Sequence, residues 1–392
     1  MSSNQWKECK LGEIVVFQRG HDLTVTNIKP GPYPVAGSNG PIGYHNEFTT
    51  KGPSLTLGRS GNSIGVAHFY ENNFWAHNTT LYAKQFNGTD PKFVYYLLKT
   101  IDFSGHNSGS AVPSLNRNLI NPYPLQIPSL PIQKKIASIL SSLDDKIELN
   151  RQTNQTLEAI AQALFKEWFV DFKFPGASGE MQESELGEIP KGWNVVLFED
   201  ELDAVRGLSY KGVGLVQANA TPMHNLNSVY EGGGYKTNGI KYYTGEYKEK
   251  HVIKSGELII ANTEQGHKYM LIGYPAIVSS FYGDKGIFSH HIYRVRAKEH
   301  SYLTSEFMYH LLLQPHVREQ VIGFANGTTV NMLKIEGLQK PKFVMPSKEL
   351  VEKFTAIAKA SRQKTEQIIE ENRTIADLRN TLLPKLMKGE LL

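Results

Sequence analysis

The sequence predicts an α+β protein with an internal pseudo-two-fold repeat, in which two mixed α/β domains are joined by two long helices packed as an antiparallel coiled coil. Three observations lead to this prediction. Residues 130–169 form an uninterrupted amphipathic segment that is too long for an ordinary domain helix. Residues 350–387 form a second segment of the same kind. Many positions of the first half also recur in the second half at a constant distance along the chain.

The first long helix is defined by its apolar spacing. Apolar residues recur three or four positions apart, which is the period of one helix face: Ile132, Ile136, Ile139, Leu143, Ile147, Leu157, Ile160, Leu164 and Trp168. Pro131 suits a first helical turn, and no Gly or Pro follows it up to Phe169. Such a helix needs an equally long partner to cover its apolar face.

The second long helix supplies that partner. An offset of 218 residues relates Pro128, Ser129, Lys135, Ile139, Asn154, Thr156 and Leu164 to identical residues later in the chain. Trp6, Arg19 and Gly20 recur at an offset of 187, so the second globular block is 31 residues longer than the first. Two equivalent helices can pack antiparallel and bury both apolar faces. Asn150, Asn154 and Asn372 lie on or beside these faces, either as tolerated polar residues or as residues that fix the register.

The repeat divides the chain into five segments. They are a first domain (1–130), a first helical region (131–174), a linker (175–192), a second domain (193–346) and a second helical region (347–392). The linker is acidic and rich in Gly, Pro and Ser, which is typical of an exposed connection. Both domains combine short β-rich runs with turn residues and short helices.

Charge and composition narrow the class of protein. The net charge is +4, but residues 1–130 carry +3, residues 176–203 carry −7 and residues 204–346 carry +6. Two basic globular blocks suit a polyanion such as DNA. The single cysteine, Cys9, excludes an internal disulfide and a cysteine-rich zinc site. We find no signal peptide or membrane-spanning run, and we expect a cytoplasmic protein.

Six stretches, distributed in order over nearly the whole chain, resemble the specificity subunit of type I restriction-modification systems. They are YPVAGSNGPIGYH, LGRSGNSIG, FWAHNTTLYA, GSAVPSLNRNLI, IPSLPIQKKIASILSSLDDKIELN and LGEIPKGW. Each stretch alone is a loose match, but together with the repeat they are specific.

This resemblance implies a non-catalytic subunit that recognises DNA. Two target recognition domains would each bind one half of an asymmetric, bipartite DNA site, and the helices would bind two methyltransferase subunits. A motor-nuclease subunit would join for cleavage. The chain itself would hold no cofactor, with S-adenosylmethionine, ATP and Mg²⁺ on the partner subunits. The first helix could span about 57 Å, more than the about 34 Å of one DNA turn, so helix length would set the half-site spacing.

No catalytic or metal-binding motif stands out in the sequence. NPYP, residues 121–124, has the wrong order for an amino-methyltransferase motif, and GSNGPIG matches neither GxGxxG nor a phosphate-binding loop. His77, His290 and His291 lack partners at metal-ligand spacing and are interpreted as structural or surface histidines. We therefore predict no catalytic residues and no metal site.

Base recognition requires amides, guanidinium groups and hydroxyls that reach base edges, with cations on phosphates. In the first domain the candidates are Ser38, Asn39, Tyr44, Arg59, Ser60, Asn62, Asn107, Ser108, Asn116 and Arg117. In the second they are Tyr210, Lys211, Asn262, Gln265, His267, Lys268, Asn326, Thr328 and Asn331. Discrimination is expected where the halves diverge, which favours residues 59–62 and 262–268. Each candidate is equally a possible turn or surface residue.

Apolar residues at the ends of the two helices are candidates for binding a methyltransferase. They are Phe165, Trp168 and Phe169 in the first helix and Leu382 and Leu386 in the second. The alternative for the aromatic cluster is a local core that joins helix to domain.

Two other classes of function stay open on the sequence alone. One is a self-contained DNA methyltransferase or nuclease with an unrecognised centre, and the other is a coiled-coil adaptor that does not read DNA. A related possibility is specificity for a single-polypeptide restriction-methylation enzyme. Methyl transfer or DNA nicking by the purified chain would distinguish the enzyme, and the two basic, loop-rich blocks argue against the adaptor.

Overall fold

A computed structural model describes residues 6–103, 105, 107–108, 114–266, 268–327 and 330–391. The chain forms two compact units, residues 1–149 with 372–392 and residues 150–371. Each long helix contributes residues to both units. The units therefore cut across the segments defined by the repeat, because each unit contains one domain and part of both helices.

The first unit is built from short strands around two small sheets. Its elements are β1 (Trp6–Lys10), α1 (Leu11–Ile14), β2 (Val15–Arg19), β3 (Tyr33–Gly37), β4 (Gly40–His45), β5 (Ser54–Gly58), β6 (Ala67–Tyr70), β7 (Trp75–Ala76), β8 (Thr80–Phe86), α2 (Pro91–Leu98), β9 (Asn107–Ser108), β10 (Ser114–Leu115), α3 (Arg117–Ile120), β11 (Pro124–Pro128) and the long helix α4 (Leu130–Phe169). The sheets have the strand orders β2-β8-β5-β6 and β4-β3-β7, and β1 pairs with β11.

The second unit repeats this plan with additions. Its elements are β12 (Met181–Ser184), β13 (Gly187–Pro190), β14 (Asn194–Leu197), α5 (Phe198–Glu201), β15 (Leu202–Arg206), β16 (Leu215–Val216), β17 (Thr221–His224), β18 (Lys241–Tyr243), β19 (Val252–Lys254), β20 (Leu258–Ala261), β21 (Thr263–Gln265), β22 (Pro275–Ile277), β23 (Lys285–Phe288), β24 (Ile292–Ala297), α6 (Ser305–Leu312), α7 (Pro315–Ile322), β25 (Ala325–Asn326), β26 (Val330–Leu333), β27 (Lys342–Met345) and the long helix α8 (Lys348–Met387).

The sheet topology confirms the predicted internal repeat. The order β15-β24-β20-β22 corresponds strand for strand to β2-β8-β5-β6, and the pair β14-β27 corresponds to β1-β11. The parallel pair β17 and β23 corresponds to the parallel pair β3 and β7. The helices α2 and α6 both start at a side-chain cap, from Asp90 in one and Thr304 in the other. The additions in the second unit include β16, β19, β21 and α7.

The two long helices pack antiparallel within each unit, as predicted. In the first unit Ile136 and Leu140, near the start of α4, share a core with Leu386 and Met387 at the end of α8. In the second unit Phe165, near the end of α4, packs on Phe354 near the start of α8, with ring centroids 5.3 Å apart. The α+β fold class with paired long helices is therefore confirmed.

The seam asparagine Asn150 makes a defined contact with the opposite helix. Asn150 is 4% exposed, and its Nδ2 donates to Glu371 Oε2 on α8 at 3.1 Å. A buried amide with a partner on the opposite helix favours one register over its neighbours.

The segment expected to be a simple exposed connection contains a β-hairpin. Strands β12 and β13 pair antiparallel, and Gly187 begins the second strand with a positive φ of 94°. Ile189 is 2% exposed and joins the core of the second unit, while Gln182 Nε2 donates to the Trp193 carbonyl at 2.7 Å. The hairpin is thus attached to the second unit.

Candidate nucleic-acid interface

An arginine followed by glycine ends the same strand in both units. Arg19 ends β2 and Arg206 ends β15, and the next residue passes very close to another backbone segment. A Cβ atom on Gly20 would lie 2.1 Å from the His77 carbonyl oxygen, and one on Gly207 would lie 2.2 Å from that of Ser289. Glycine is required at both positions because no side chain fits. The repeated dipeptide therefore places an arginine at an equivalent point in each unit.

A second equivalent pair shows how the two units diverge. The Arg59 backbone N–H donates to the Thr79 carbonyl at 3.1 Å, and its carbonyl accepts from Leu115 N at 2.8 Å. Asn262 makes the same two backbone contacts in the second unit, with the His291 carbonyl at 3.0 Å and with Leu333 N at 2.8 Å. We call this pair of backbone contacts the backbone frame. Both units share the frame, but the residue that makes the contacts is arginine in one unit and asparagine in the other.

In the first unit this frame carries two guanidinium groups. Arg59 is partly buried, and its Nη1 donates to the Asn78 carbonyl at 3.3 Å. Burial, and then the charge of Arg19, lowers the pKa of Arg59 from its ordinary value. The Arg19 side chain is 58% exposed and lies 3.9 Å from Asp22. We call Arg19 and Arg59 the first basic cluster.

Two serine hydroxyls lie beside the first basic cluster. Ser38 Oγ donates to the Thr79 carbonyl at 2.6 Å and lies 3.1 Å from Ser60 Oγ. These contacts join the loop after β3 to the loop after β5. The predicted candidates Ser38, Arg59 and Ser60 are therefore brought together in one place.

The second unit carries a larger group of basic side chains at the equivalent place. Arg206 is exposed, and its Nε donates to the His290 carbonyl at 3.1 Å. Lys241 Nζ donates to Tyr210 Oη at 3.0 Å, and His291 Nδ1 lies 3.0 Å from Thr263 Oγ1. We call Arg206, Lys241, His290 and His291 the second basic cluster.

The charges of the second basic cluster act on one another. Burial lowers the pKa of His291, and the charges of His290, Arg206 and Lys241 lower it further. Like charges held close together produce a local positive potential that attracts an anionic ligand. Phosphate groups would relieve this repulsion.

The remaining candidates of the first domain are mostly at the surface. Asn39, Tyr44, Asn62, Asn116 and Arg117 are exposed. Asn116 has a structural task as well, because its side chain accepts from the Asn118 N–H and caps α3. Asn107 and Ser108 form β9, and their side chains lie outside the described part of the structure.

In the second domain the candidates separate into two groups. Lys211, Gln265, Lys268 and Asn326 are exposed and Tyr210 is partly buried, whereas His267 and Thr328 lie outside the described residues. Asn262 and Asn331 are only 0% and 1% exposed.

The burial of these two asparagines corrects their predicted role in base recognition. The Asn262 amide donates to the His290 carbonyl at 3.0 Å, and that of Asn331 donates to the Gly266 carbonyl. Both amides stabilise the backbone on which exposed side chains are carried. The exposed residues beside these two asparagines are therefore the better candidates for contacts with base edges.

The predicted docking residues on the helices also require correction. Phe165, Trp168 and Phe169 are 1%, 8% and 8% exposed and belong to the core of the second unit. Leu386 is 2% exposed in the core of the first unit, and Leu382 packs against that core. These side chains are covered by their own unit, so they do not form an exposed surface for a partner.

Sequence reasoning missed Arg206 and Lys241 as candidates and treated Arg19 only as a marker of the repeat. The recurrence of Arg-Gly at an offset of 187 was the available signal, because it preserved a charge together with the glycine that positions it.

Two absences hold for the part of the chain that the structure describes. No group of three or more His, Cys, Asp or Glu side chains there is arranged to hold a metal ion. No helix within the described ranges is long and apolar enough to cross a membrane.

A basic cluster at the same place in each unit suits contact with a polyanion. Comparisons with known proteins define the class further. The family model described as the type I restriction modification DNA specificity domain matches residues 3–159. The chain belongs to the family of type I restriction-modification specificity subunits, which confirms the resemblance seen in the sequence.

Individual relatives agree with this assignment, and a solved structure has the same fold. The type I restriction enzyme MjaIX specificity subunit of Methanocaldococcus jannaschii is 28% identical over 78% of this chain and 70% of its own length. The N-terminus of a putative type I specificity subunit of Mycoplasma pneumoniae is 30% identical over 35% of this chain and 78% of that sequence. The crystal structure of a type I restriction-modification S subunit from M. genitalium has the same fold, with a TM-score of 0.60, 17% identity and coverage of 98% and 97% of the two chains.

Proposed function

We propose that this chain is the non-catalytic, DNA-reading subunit of a type I restriction-modification complex, with one domain for each half of an asymmetric, bipartite site. One observation carries the proposal. Both units place a basic cluster on the same backbone frame, but the side chains and loops on that frame differ. Equivalent frames suit equivalent contacts to the DNA backbone, and different loops suit different bases.

The exposed side chains on these frames are of the kinds that read base edges. Arginine binds guanine bidentately in the major groove, and glutamine or asparagine does the same with adenine. The first unit offers the exposed Asn62 and the partly buried Arg59, and the second offers the exposed Gln265 and Lys268. The two half-sites would then have different sequences.

The proposed complex also contains enzymes. Two methyltransferase subunits would dock on this chain and supply S-adenosylmethionine, and motor-nuclease subunits would supply ATP and Mg²⁺ chemistry. The exposed apolar side chains of Ile160 on α4 and Ile357 on α8, at 53% and 41%, support docking on the helices better than the buried aromatic cluster does.

Methylome sequencing tests the proposal. Cells that express this chain with a methyltransferase subunit of the same system are compared with cells that lack only this chain. We expect a bipartite, asymmetric methylation motif that disappears with the chain. An unchanged methylome, or a short continuous motif, would contradict the proposal.

A second assay tests the non-catalytic assignment. The purified chain alone is incubated with DNA and labelled S-adenosylmethionine, and separately with supercoiled plasmid and Mg²⁺. We expect neither methyl incorporation nor nicking. Incorporation that increases with enzyme concentration would identify a self-contained methyltransferase.

A further inference from the structure

We infer that Glu264 is a positioning residue, whose buried carboxylate holds the connection between β20 and β22 in the shape that presents Gln265 and Lys268 to base edges. The inference rests on the proposed function and deepens it. It identifies which buried group gives the second domain its specificity without touching DNA.

Glu264 closes the loop by accepting three backbone hydrogen bonds. It is 8% exposed, and it follows the buried frame residues Asn262 and Thr263. Its Oε1 accepts from Met270 N at 3.0 Å, and its Oε2 accepts from Leu271 N and Ile272 N, both at 2.9 Å. A carboxylate that accepts several backbone N–H groups forms strong, charge-assisted bonds. One side chain thus fixes the far end of the loop.

Arg318 on α7 holds the same loop through its carbonyl groups. Its Nη2 donates to the Tyr269 carbonyl at 2.8 Å and its Nη1 to the Ile272 carbonyl at 3.3 Å. The guanidinium lies 3.4 Å from the centroid of the Tyr274 ring, which fixes its plane. A carboxylate therefore binds the N–H groups of the loop, and a guanidinium binds its carbonyls.

The loop requires this support because one of its residues, Tyr269, has an energetically unfavourable backbone conformation. Gly266 has a φ of 85°, and Tyr269 has a φ of 50° although it is not glycine. A left-handed conformation is costly for a residue with a Cβ atom, so neighbouring contacts must impose it. The contacts of Arg318 with the Tyr269 carbonyl and of Glu264 with the Met270 N–H lie on either side of that peptide.

The equivalent connection in the first unit is shorter and has no such carboxylate. There, residues 59–66 connect β5 to β6, whereas residues 262–274 make the equivalent connection from β20 to β22. The frame contact of Ser60 with Ser114 corresponds to that of Thr263 with Met332, so the additional residues follow Thr263. Residues 59–66 contain no acidic residue. The buried carboxylate is therefore specific to the longer loop.

The supported loop presents polar groups at its surface. Gln265 and Lys268 are exposed, and Met270 is 42% exposed. A glutamine carboxamide pairs with the adenine edge and a lysine ammonium with the guanine edge, but each must be placed accurately to discriminate. Loss of the carboxylate would leave both side chains present in an altered position.

The test compares E264Q with E257Q as a matched control. Glu257 lies at the opposite end of β20, where its Oε2 accepts the Lys254 N–H at 2.6 Å and its Oε1 binds Arg296. Both variants replace a carboxylate that accepts backbone hydrogen bonds in the same unit, from three N–H groups at Glu264 and from one at Glu257. The full chain, purified with the methyltransferase subunit, selects DNA from a random duplex library, and the selected motifs are compared by sequencing.

We expect E264Q to lose base preference in one half-site and to bind the unaltered motif at least about tenfold more weakly, in the range of a lost specific base contact. The other half-site and the E257Q motif should be unchanged. R318K keeps the charge but loses the planar fork, and should change the same half-site; it replaces E264Q if that variant does not fold.

The outcomes separate the inference from the function on which it rests. An E264Q or R318K chain that selects the unaltered motif would overturn the positioning role. Equal weakening of both half-sites, together with a lower melting temperature, would also overturn it in favour of a purely structural role. An unaltered chain that selects no motif would overturn the proposed function itself.

Discussion

Arg19 and Arg206 occupy equivalent positions in the two units and share three features. Each ends a strand, precedes a glycine that no other residue can replace, and lies at the edge of a basic cluster. The pair is common to both halves, so it cannot distinguish two different half-sites. On the proposed function, we therefore expect the two arginines to contact phosphate groups.

Replacement of Arg206 by alanine should weaken binding to all DNA sequences alike. It should also reduce the slope of log affinity against log salt by about one, because one fewer counterion is released. Fluorescence anisotropy titrations at several salt concentrations measure both quantities. R296A, which removes a cation paired with Glu257, serves as the control and should leave the slope unchanged. A changed base preference with an unchanged slope would place Arg206 on a base edge.

Replacement of Trp168 by alanine should destabilise the protein rather than remove a docking surface. Trp168 is 8% exposed among the aromatic side chains of the second unit, and substitutions of this kind cost about 3–5 kcal/mol of unfolding free energy. Thermal and urea unfolding measure the loss, with K166A at an exposed neighbouring position as the control. An unchanged stability with loss of methyltransferase co-purification would restore the docking interpretation.

These residues also show where sequence reasoning ends. Helical spacing correctly predicted that Trp168 lies on the apolar face of α4, but spacing does not say whether its own unit or a partner covers that face. Asn262 lies in a loop-like stretch, where exposure was expected. Its burial arises from contacts with Leu333 and His291, which are remote in the sequence.

At the scale of elements, the long helices were predictable because their two copies have the same length and align without insertions. An offset of 218 holds from Pro128 to Leu164, and the observed bounds of α4 and α8 are separated by the same number. The domain loops were not predictable in this way, since the additional residues of the second domain lengthen several separate connections between equivalent strands. The hairpin in the linker was missed because its acidic, turn-rich composition resembles that of an irregular connection.

Asp144 joins three helices of the first unit and offers a test of their coupling. It accepts from Tyr96 Oη on α2 at 2.6 Å and forms an ion pair with Arg379 on α8. We expect a double-mutant cycle of D144N and R379Q, measured by urea unfolding, to give a coupling energy of about 1 kcal/mol, because both side chains are partly exposed. The pair K348A and E352A, which is largely exposed, should show little coupling. A coupling near zero for Asp144 and Arg379 would show that the ion pair does not hold α4 and α8 together.

At the scale of the whole molecule, duplication predicts that the two domains act separately. Exchange of residues 1–130 for the corresponding domain of another family member should change one half of the methylation motif and leave the other intact. Exchange of residues 193–346 should change only the other half. Methylome sequencing of both chimaeras measures this, and a change in both halves from a single exchange would show that the domains do not read DNA independently.

The unequal loops on equivalent frames, residues 59–66 and 262–274, have a consequence for how such proteins diversify. Strands that accept eight residues in one copy and thirteen in the other tolerate both insertion and replacement between fixed ends. On the proposed function, a lineage can therefore acquire a new target by exchanging a short piece of coding sequence, while both long helices stay unaltered. A longer insert succeeds when it brings its own internal support, as the segment that contains Glu264 does.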